Sequence, residues 1–483
     1  MDSPYHIAKD LAEHGQTELA WKLIDKLLIE NPLDVQALTM ASFLMYKLGG
    51  LTQAYHFARA ATQLVPENAA AWTNFGHAAS KLWLIDEAER YYQRALKLSK
   101  TQFDFTVLWI NLSALALDNG QFEKALEYVR KVLAVDPTHK SALTNLGFCQ
   151  LALRDWRGWE GYHGTIGSDW RQKVQYKGEP EWDGSLGKVV ALYADQGLGD
   201  EILFASMIPD AVKVCRKLIL DCDGRLAKLF ARSFPQVKVY GTRVKEEKWA
   251  KEDRNIEASL PLGQIGEFFR LSDESFPRTP YLIPCPDRVK QWKALLAEKC
   301  KPCIGIAWTG GVSKTGQRER RCDLPNWLPL FEAIDAHFVC LQYKDVQKEI
   351  DAFLEQHPSV ELTQYPWGTL TADYDDTAAL VASLDAVIGV PTSVIHLSGA
   401  IGTKTFAMKS KSSCWKYHAG LPFHPATLIE YQGSWIKTIQ AAVPLVLKHC
   451  GSSSAMTHAS RLPITSFNTR SSATPADSLP LHP

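Results

Sequence analysis

Apolar residues at helical spacing recur with a fixed period through the first third of the chain. Four alanines take the same place in successive patterns of paired amphipathic helices, 34, 34 and 37 residues apart: Ala20, Ala54, Ala88 and Ala125. Prolines close the first, second and fourth of these units, at Pro32, Pro66 and Pro137. A further helical pattern covers 141–153, so the sequence predicts an array of repeated helix pairs over residues 1–154.

Beyond Gly187 the pattern changes to short apolar runs that alternate with amphipathic segments, which is typical of parallel α/β structure. The predicted strands are 189–194, 218–221, 237–240, 303–308, 338–342, 360–363, 386–389 and 404–407. The predicted helices between and after them are 202–214, 226–233, 325–336, 346–356, 377–384, 394–400 and 434–448. A proline-rich crossing at 276–287 separates two blocks, which predicts two Rossmann-like domains, 187–286 and 287–450.

Two segments fit neither pattern. Residues 155–186 are rich in Trp and Gly, which predicts an ordered connector between the array and the first α/β domain. Residues 451–483 are mostly Ser, Thr, Pro and Ala without an apolar face, which predicts a disordered tail.

Composition argues against several classes of partner and ligand. The 53 basic residues balance the 53 acidic ones, which argues against a nucleic-acid or anionic-membrane partner. The lack of a long apolar segment, the polar N-terminus and ten scattered cysteines predict a cytoplasmic protein with reduced thiols. The closest cysteine pair, Cys300 and Cys303, lacks further ligands at zinc spacing, so we expect no metal site.

The first candidate site is the turn after the strand 189–194. Gly197 and Gly199 separate that strand from a helix, and such a helix start can bind an anion through its free backbone N–H groups. Asp200 follows directly, where a carboxylate can act as a general base. The alternative interpretation makes Asp200 or Glu201 a first-turn residue that only stabilises the helix.

The second candidate site follows the strand 386–389. Thr392 and Ser393 are good N-cap residues for the next helix, whose free N–H groups would form a phosphate seat. His396 lies three residues further, so its ring can reach the same place. The alternative is a capped helix with a buried, hydrogen-bonded histidine.

Polar loops also end two neighbouring predicted strands. Thr309 and Gly310 follow the strand 303–308 and precede a cationic loop with Lys314, Arg318, Arg320 and Arg321. Gln342 ends the strand 338–342. Cationic side chains at the carboxyl ends of parallel strands suit a diphosphate, although such a loop can also be merely solvated.

The repeats resemble the tetratricopeptide repeat, whose arrays bind peptides or partner proteins and also serve as spacers. The remaining order of motifs, GLGDEILFASMIPD, IGIAWTGG, CLQ and DTAALVASLDAVIGVPTSVIHLSGAIG, resembles bacterial tetratricopeptide-repeat glycosyltransferases related to the family 9 heptosyltransferases. This resemblance covers about residues 1–440. It implies a B-type fold of two Rossmann-like domains and metal-independent transfer from a nucleotide sugar.

The resemblance also implies roles for individual residues. Asp200 corresponds to a catalytic base or acceptor-site residue. The donor site corresponds to Thr309, the loop 314–321, Gln342, Asp376, Thr377 and the turn from Thr392 to His396. One position departs from the family: Pro391 stands where the family has an aspartate that contacts donor or substrate.

The sequence therefore predicts a cytoplasmic inverting glycosyltransferase that uses a nucleotide-diphosphate sugar and no further cofactor. Protein or peptide partners are expected on the repeat array. The alternative is a repeat-based binding or scaffold protein whose transferase-like half is inactive, an interpretation that Pro391 favours. A dinucleotide-dependent oxidoreductase is disfavoured because the first turn lacks the third glycine and the ribose-binding acid of that motif.

Overall fold

The structure is a computed structural model that describes residues 3–244, 248–252, 255–311, 317–412, 414–418, 420 and 422–459. Its N-terminal part is an array of antiparallel helix pairs that pack in sequence order. The helices are α1 (Pro4–Glu13), α2 (Thr17–Glu30), α3 (Val35–Lys47), α4 (Leu51–Leu64), α5 (Ala69–Lys81), α6 (Ile85–Leu98), α7 (Gln102–Asp118), α8 (Phe122–Val135) and α9 (Lys140–Ala152).

Small residues and repeated caps explain this regular packing. Ala20, Ala54, Ala88 and Ala125 are all fully buried where neighbouring helices touch. The first helix of successive pairs begins with a capping side chain: Asp34 accepts a hydrogen bond from the Ala37 N–H at 2.9 Å, and Asn68 accepts one from the Ala71 N–H at 3.1 Å. The predicted helical array is therefore confirmed.

The size of Ala88 limits how closely its helices pack. We expect Ala88→Leu to destabilise the array by about 1–3 kcal/mol, because three added carbons must enter a fully buried contact. The measurement is calorimetric unfolding of the full chain, with the exposed Ala70→Leu on α5 as the control. Equal melting curves for the two variants would contradict the assigned repeat register.

The connector is ordered and packs on the array through glycines. It contains α10 (Trp159–His163), and a β-carbon on Gly161 would lie 2.5 Å from the Leu143 carbonyl oxygen. A β-carbon on Gly158 would lie 2.4 Å from the Gly147 carbonyl oxygen. These contacts require glycine, because any side chain would separate α10 from α9.

The first α/β block contains a parallel sheet in the order β3-β2-β1-β4. Its strands are β1 (Val189–Tyr193), β2 (Lys217–Asp221), β3 (Val237–Tyr240) and β4 (Ala258–Pro261). Its helices are α11 (Leu198–Phe204), α12 (Ile208–Val214), α13 (Ala227–Ser233), α14 (Lys248–Glu252) and α15 (Gly266–Phe269). All five residues of β1 are buried, as expected for a strand covered on both faces.

The second block contains a parallel sheet in the order β10-β9-β8-β5-β6-β7. Its strands are β5 (Cys303–Ala307), β6 (His337–Cys340), β7 (Leu362–Gln364), β8 (Ala386–Gly389), β9 (Thr405–Met408) and β10 (Thr427–Ile429). Its helices are α16 (Pro286–Ala297), α17 (Leu328–Ala333), α18 (Gln347–Gln356), α19 (Pro366–Thr369), α20 (Tyr374–Val381), α21 (Ser393–Ile401), α22 (Trp415–His418) and α23 (Trp435–Ala459).

A tetratricopeptide-like array followed by two parallel sheets matches the predicted order of elements. Several details differ from the prediction, among them helix α16 (Pro286–Ala297), which was not predicted. Strands β4 and β10 were not predicted, because β4 contains Ser259 and ends at a proline, and β10 has only two apolar residues. The predicted helix 202–214 is divided into α11 and α12 by a 3₁₀ turn at Ala205–Met207.

The last helix corrects the predicted tail. Helix α23 continues to Ala459, so residues 451–459 are helical rather than disordered, and 460–483 lie outside the described residues. Adding residues to an existing helix costs little because each one gains a backbone hydrogen bond. None of the helices in the described ranges is long and apolar enough to cross a membrane.

One continuous core joins the three parts of the molecule. Trp159 of the connector contacts Tyr162 and Trp415, with ring centroids 5.6 and 5.7 Å apart, and Phe122 of α8 lies 4.6 Å from the ring of His418. Helix α22 belongs to the second α/β block, so the array and connector pack directly on that block. This packing fixes the segment that carries part of the candidate site.

Candidate functional site

The first predicted turn lies at the carboxyl end of β1, the edge at which open parallel sheets bind ligands. Gly197 is the N-cap residue of α11, and Asp200 is its third helical residue. The Asp200 Oδ2 accepts a hydrogen bond from the Gly197 backbone N–H at 3.2 Å. Asp200 thus stabilises the helix start, as the alternative interpretation expected. Its other oxygen, Oδ1, takes no part in this cap.

The second predicted turn lies at the carboxyl end of β8. Thr392 is the N-cap residue of α21, but its side chain does not cap the helix. The Thr392 Oγ1 is buried and has no hydrogen-bond partner among the described residues. The Ser393 Oγ accepts a hydrogen bond from the Tyr374 hydroxyl at 2.9 Å. The helix start therefore retains backbone N–H groups that no side-chain cap occupies.

These two turns are in direct contact, although almost two hundred residues separate them. A β-carbon on Gly199 would lie 3.2 Å from the Ser393 Cα and 3.3 Å from the His396 Cδ2. Glycine permits this approach of α11 to α21. The two candidate sites therefore form a single site between the two sheets.

Asp200 has a partner that sequence reasoning missed. The Lys416 ammonium of α22 forms an ion pair with the Asp200 Oδ1, and the two side chains are only 11% and 27% exposed. Burial is the largest single effect and favours the neutral amine, but the charge and hydrogen bond of Asp200, together with Tyr162 and Cys414, raise the pKa of Lys416. The only sequence signal was a group of Lys, Tyr and His residues in the loop after β9.

His396 lies behind the turn, within a buried polar chain. Its Nε2 is 2.6 Å from the Tyr417 hydroxyl, and its Nδ1 is 3.2 Å from the His424 Nε2. Burial, with smaller contributions from His424 and Lys416, lowers the pKa of His396 well below its usual value. This arrangement matches the alternative interpretation of a hydrogen-bonded core histidine; direct contact with a donor stays a prediction.

Because these buried histidines have lowered pKa values, we expect the free energy of unfolding to depend on pH. Burial lowers the pKa of His424 to about 4, whereas the unfolded chain takes up its proton near pH 6.5. The contribution of neutral His424 to the free energy of unfolding is therefore fully present above pH 6.5. The free energy of unfolding falls between pH 6.5 and 4, by about 1.4 kcal/mol per pH unit for each such histidine. We expect His424→Gln to reduce this slope in denaturant unfolding. The exposed His56→Gln is the control, and an equal slope in both variants would contradict the assignment.

The loops after β5 and β6 lie at the same edge of the second sheet as the α21 turn. The Gln342 Oε1 accepts hydrogen bonds from the backbone N–H groups of Trp308 and Thr309, at 3.2 and 3.4 Å. Gln342 thus holds the backbone of the loop after β5 in place. A β-carbon on Gly310 would lie 2.3 Å from the Thr392 Cγ2, which brings this loop against the α21 turn. The Thr309 Oγ1 is buried without a partner among the described residues, like that of Thr392.

The remaining predicted residues lie at different places. Burial raises the pKa of the Tyr417 hydroxyl, and the positive charge of Arg320 opposes this shift, whereas Arg321 pairs with Asp323 on the surface. Asp376 pairs with Arg288 of α16 at 2.6 Å and accepts a hydrogen bond from the Thr371 hydroxyl at 3.0 Å. Thr377 is buried, and its hydroxyl has no partner in the described parts of the chain. Lys314 lies outside the described residues.

The connector contacts the two residues directly before the first turn. The fully buried Arg171 pairs with Asp195 at 2.6 Å and lies 4.1 Å from the centre of the Tyr162 ring. The Tyr162 hydroxyl accepts a hydrogen bond from the Gln196 amide at 2.5 Å. Sequence reasoning missed this role, because nothing in the pattern pairs a connector arginine with the residues before Gly197.

The described side chains include no group of three or more His, Cys, Asp or Glu residues arranged as metal ligands. Metal independence nevertheless stays a prediction, because it concerns the reaction rather than this arrangement.

The tetratricopeptide repeat profile matches residues 69–102 and 107–139. Similar solved structures include the tetratricopeptide-repeat protein TTC0263 of Thermus thermophilus, at 18% identity over 33% of this chain and 87% of that one, with a TM-score of 0.30. Another is pilF of Pseudomonas aeruginosa, at 18% identity over 36% of this chain and 77% of that one, also with a TM-score of 0.30.

A longer match covers both the repeats and the sheets. Protein FlbA of Caulobacter vibrioides is 31% identical over 455 residues, which span 87% of this chain and 74% of FlbA. A match of this identity and extent includes both turns of the candidate site. The chain therefore belongs to the FlbA family.

Proposed function

We propose that this protein is a glycosyltransferase of the B-type arrangement, related to the family 9 heptosyltransferases, which transfers a sugar from a nucleotide-diphosphate sugar to an acceptor hydroxyl. The observation that carries the proposal is the contact of Gly199 with Ser393 and His396. It brings a carboxylate at the end of one sheet beside an uncapped helix start at the end of the other. A general base and an anion seat are what this reaction needs on its two substrates.

The diphosphate would bind at the start of α21. The backbone N–H groups after Thr392 and the positive end of the helix dipole favour an anion there. The unpartnered hydroxyls of Thr309 and Thr392 would donate to phosphate oxygens, and Arg320 would add positive charge. These groups would stabilise the charge that the leaving nucleoside diphosphate gains, which is the role a metal ion has in other transferases.

The acceptor would bind over the turn from Gly197 to Asp200. As its hydroxyl oxygen attacks the anomeric carbon, the proton would pass to the Asp200 carboxylate. Attack from the side opposite the diphosphate inverts the configuration at that carbon. The repeat array, which packs on the same core through α9 and α10, would bind a protein or peptide partner.

Two observations favour a second function. Pro391 replaces the acidic residue of the resembling transferases, and Lys416 already pairs with Asp200. A chain with both features fits a repeat-based scaffold that binds a nucleotide sugar or a partner protein without turnover.

The proposal is tested by thermal stabilisation of the full chain with a panel of nucleotide sugars and free nucleotides in the presence of EDTA. A ligand at one hundred times its Kd should stabilise the protein by about 2.7 kcal/mol. We expect one nucleotide base to be preferred, and its diphosphate to stabilise more than its monophosphate. Failure of every nucleotide to shift the melting temperature would contradict the proposal.

A further inference from the structure

The ion pair between Lys416 and Asp200 connects the two sheets at the site. Asp200 belongs to α11 of the first block, and Lys416 belongs to α22 of the second. The ammonium also lies 5.3 Å from the centre of the Phe204 ring and 5.6 Å from that of the Trp415 ring. These aromatic faces shield the pair from water and strengthen its attraction.

This pair conflicts with the role of Asp200 as a base. The Asp200 Oδ2 accepts the Gly197 N–H, and the Oδ1 accepts from the Lys416 ammonium. Each oxygen can still accept another hydrogen bond, but uptake of the acceptor proton would neutralise the carboxylate and so abolish its ion pair with Lys416. A transferase that uses this base needs a step that removes Lys416 from Asp200.

The proposed diphosphate seat adjoins the neighbours of both partners of the ion pair. Gly199, directly before Asp200, contacts Ser393 at the start of α21. Tyr417, directly after Lys416, is hydrogen-bonded to His396 of the same helix. Both partners of the ion pair thus adjoin residues that contact α21, so an anion at the helix start would compete with Asp200 for the ammonium.

We propose that Lys416 is a cation shared between two anions: it pairs with Asp200 in the donor-free protein and moves to the diphosphate when a nucleotide sugar binds, which frees Asp200 to act as the base. This inference rests on the proposed function. It couples the two substrates, because the base becomes available only when the donor is bound.

The exchange places each charge where the reaction requires it. The acceptor oxygen forms its bond to the anomeric carbon while the bond from that carbon to the phosphate oxygen breaks. The electron pair remains on the phosphate, where Lys416 would stabilise it, and the acceptor proton passes to Asp200. Lys416 would thus contact the leaving group and be a catalytic residue for the transfer.

The test is a double-mutant cycle of nucleoside diphosphate binding to the full chain. Titration calorimetry with UDP, GDP, ADP and CDP in EDTA gives the Kd of the preferred diphosphate for the wild type, Asp200→Asn, Lys416→Met and the double variant. We expect Asp200→Asn to bind at least threefold more tightly than the wild type, because no ion pair has to be broken. Lys416→Met should bind at least tenfold more weakly.

The double variant separates exchange from simple repulsion. Loss of a negative charge near the diphosphate could by itself tighten binding, but it would do so equally with or without Lys416. Exchange predicts that Asp200→Asn changes the Kd less than twofold in the Lys416→Met background. Lys416→Arg, which keeps the charge, should restore the Kd to within threefold of the wild type. The exposed Lys348→Met on α18 is the control for loss of a lysine, and circular dichroism checks that each variant folds.

The outcomes distinguish this inference from the proposed function. If the wild type binds none of the four diphosphates, the proposed function fails and the inference with it. If the wild type binds but Asp200→Asn does not tighten binding, or tightens it equally in both backgrounds, only the inference is overturned.

Discussion

Replacing Asp200 with asparagine is expected to lower sugar transfer by about two to four orders of magnitude, the usual contribution of a general base. Asparagine keeps the size of the side chain and can still accept the Gly197 N–H, so the start of α11 should persist. The measurement is the release of nucleoside diphosphate from the stabilising nucleotide sugar in the presence of a mixed acceptor pool. The loss should fall on kcat rather than on donor affinity.

The control for this variant is Asp169→Asn, an exposed aspartate of the connector that lies outside both turns. It should release nucleoside diphosphate at the wild-type rate. Wild-type turnover by Asp200→Asn would show that another group takes the acceptor proton. A wild type that binds the donor but transfers it to nothing would favour the scaffold function, and Pro391→Asp would then test whether the missing carboxylate is the cause.

The second large effect concerns the connector. We expect Trp159→Ala to destabilise the protein by about 3–5 kcal/mol, because the loss of a large buried ring removes its contacts and leaves a cavity. Trp159 is 2% exposed and donates a hydrogen bond to the Arg270 carbonyl at 2.9 Å. A β-carbon on Gly266 would lie 2.3 Å from its ring, so this side chain determines how closely the neighbouring segment packs.

Trp170→Ala is the matched control, because that tryptophan belongs to the same connector but is 49% exposed. Calorimetry should show a much smaller loss for this control. Because Trp159 also contacts Trp415 beside Lys416, the Trp159→Ala variant should bind the nucleotide more weakly at a temperature where it is folded. Equal unfolding temperatures for the two variants would contradict the view that the connector joins the array to the α/β blocks.

Local patterns in the sequence were sufficient for most of the fold. The spacing of Ala20, Ala54, Ala88 and Ala125 predicted the helical array because each repeat needs a small residue at the same contact. The buried run of β1 and the glycines after it predicted a strand, turn and helix. Strands β4 and β10 could not be predicted, since both pair through the backbone but neither has the apolar run that marks the other strands.

The candidate site was predicted less completely, and the reason is physical. Gly197, Asp200, Thr392 and Ser393 lie beside glycines, strands or helix starts, so local sequence identifies them. Lys416, Arg171 and Tyr417 act through partners from distant parts of the chain, at Asp200, Asp195 and His396 respectively. Such pairs depend on tertiary packing, for which single-sequence patterns carry no signal.

The central claim is that the two turns together bind a nucleoside diphosphate. The most direct measurement is a crystal structure of the full chain with the nucleotide that stabilises it most. We predict that its phosphate oxygens lie within about 2.7–3.2 Å of the backbone N–H groups at the start of α21, with the Thr309 and Thr392 hydroxyls among the donors. A diphosphate bound elsewhere, with the start of α21 in contact with no part of the nucleotide, would contradict the account.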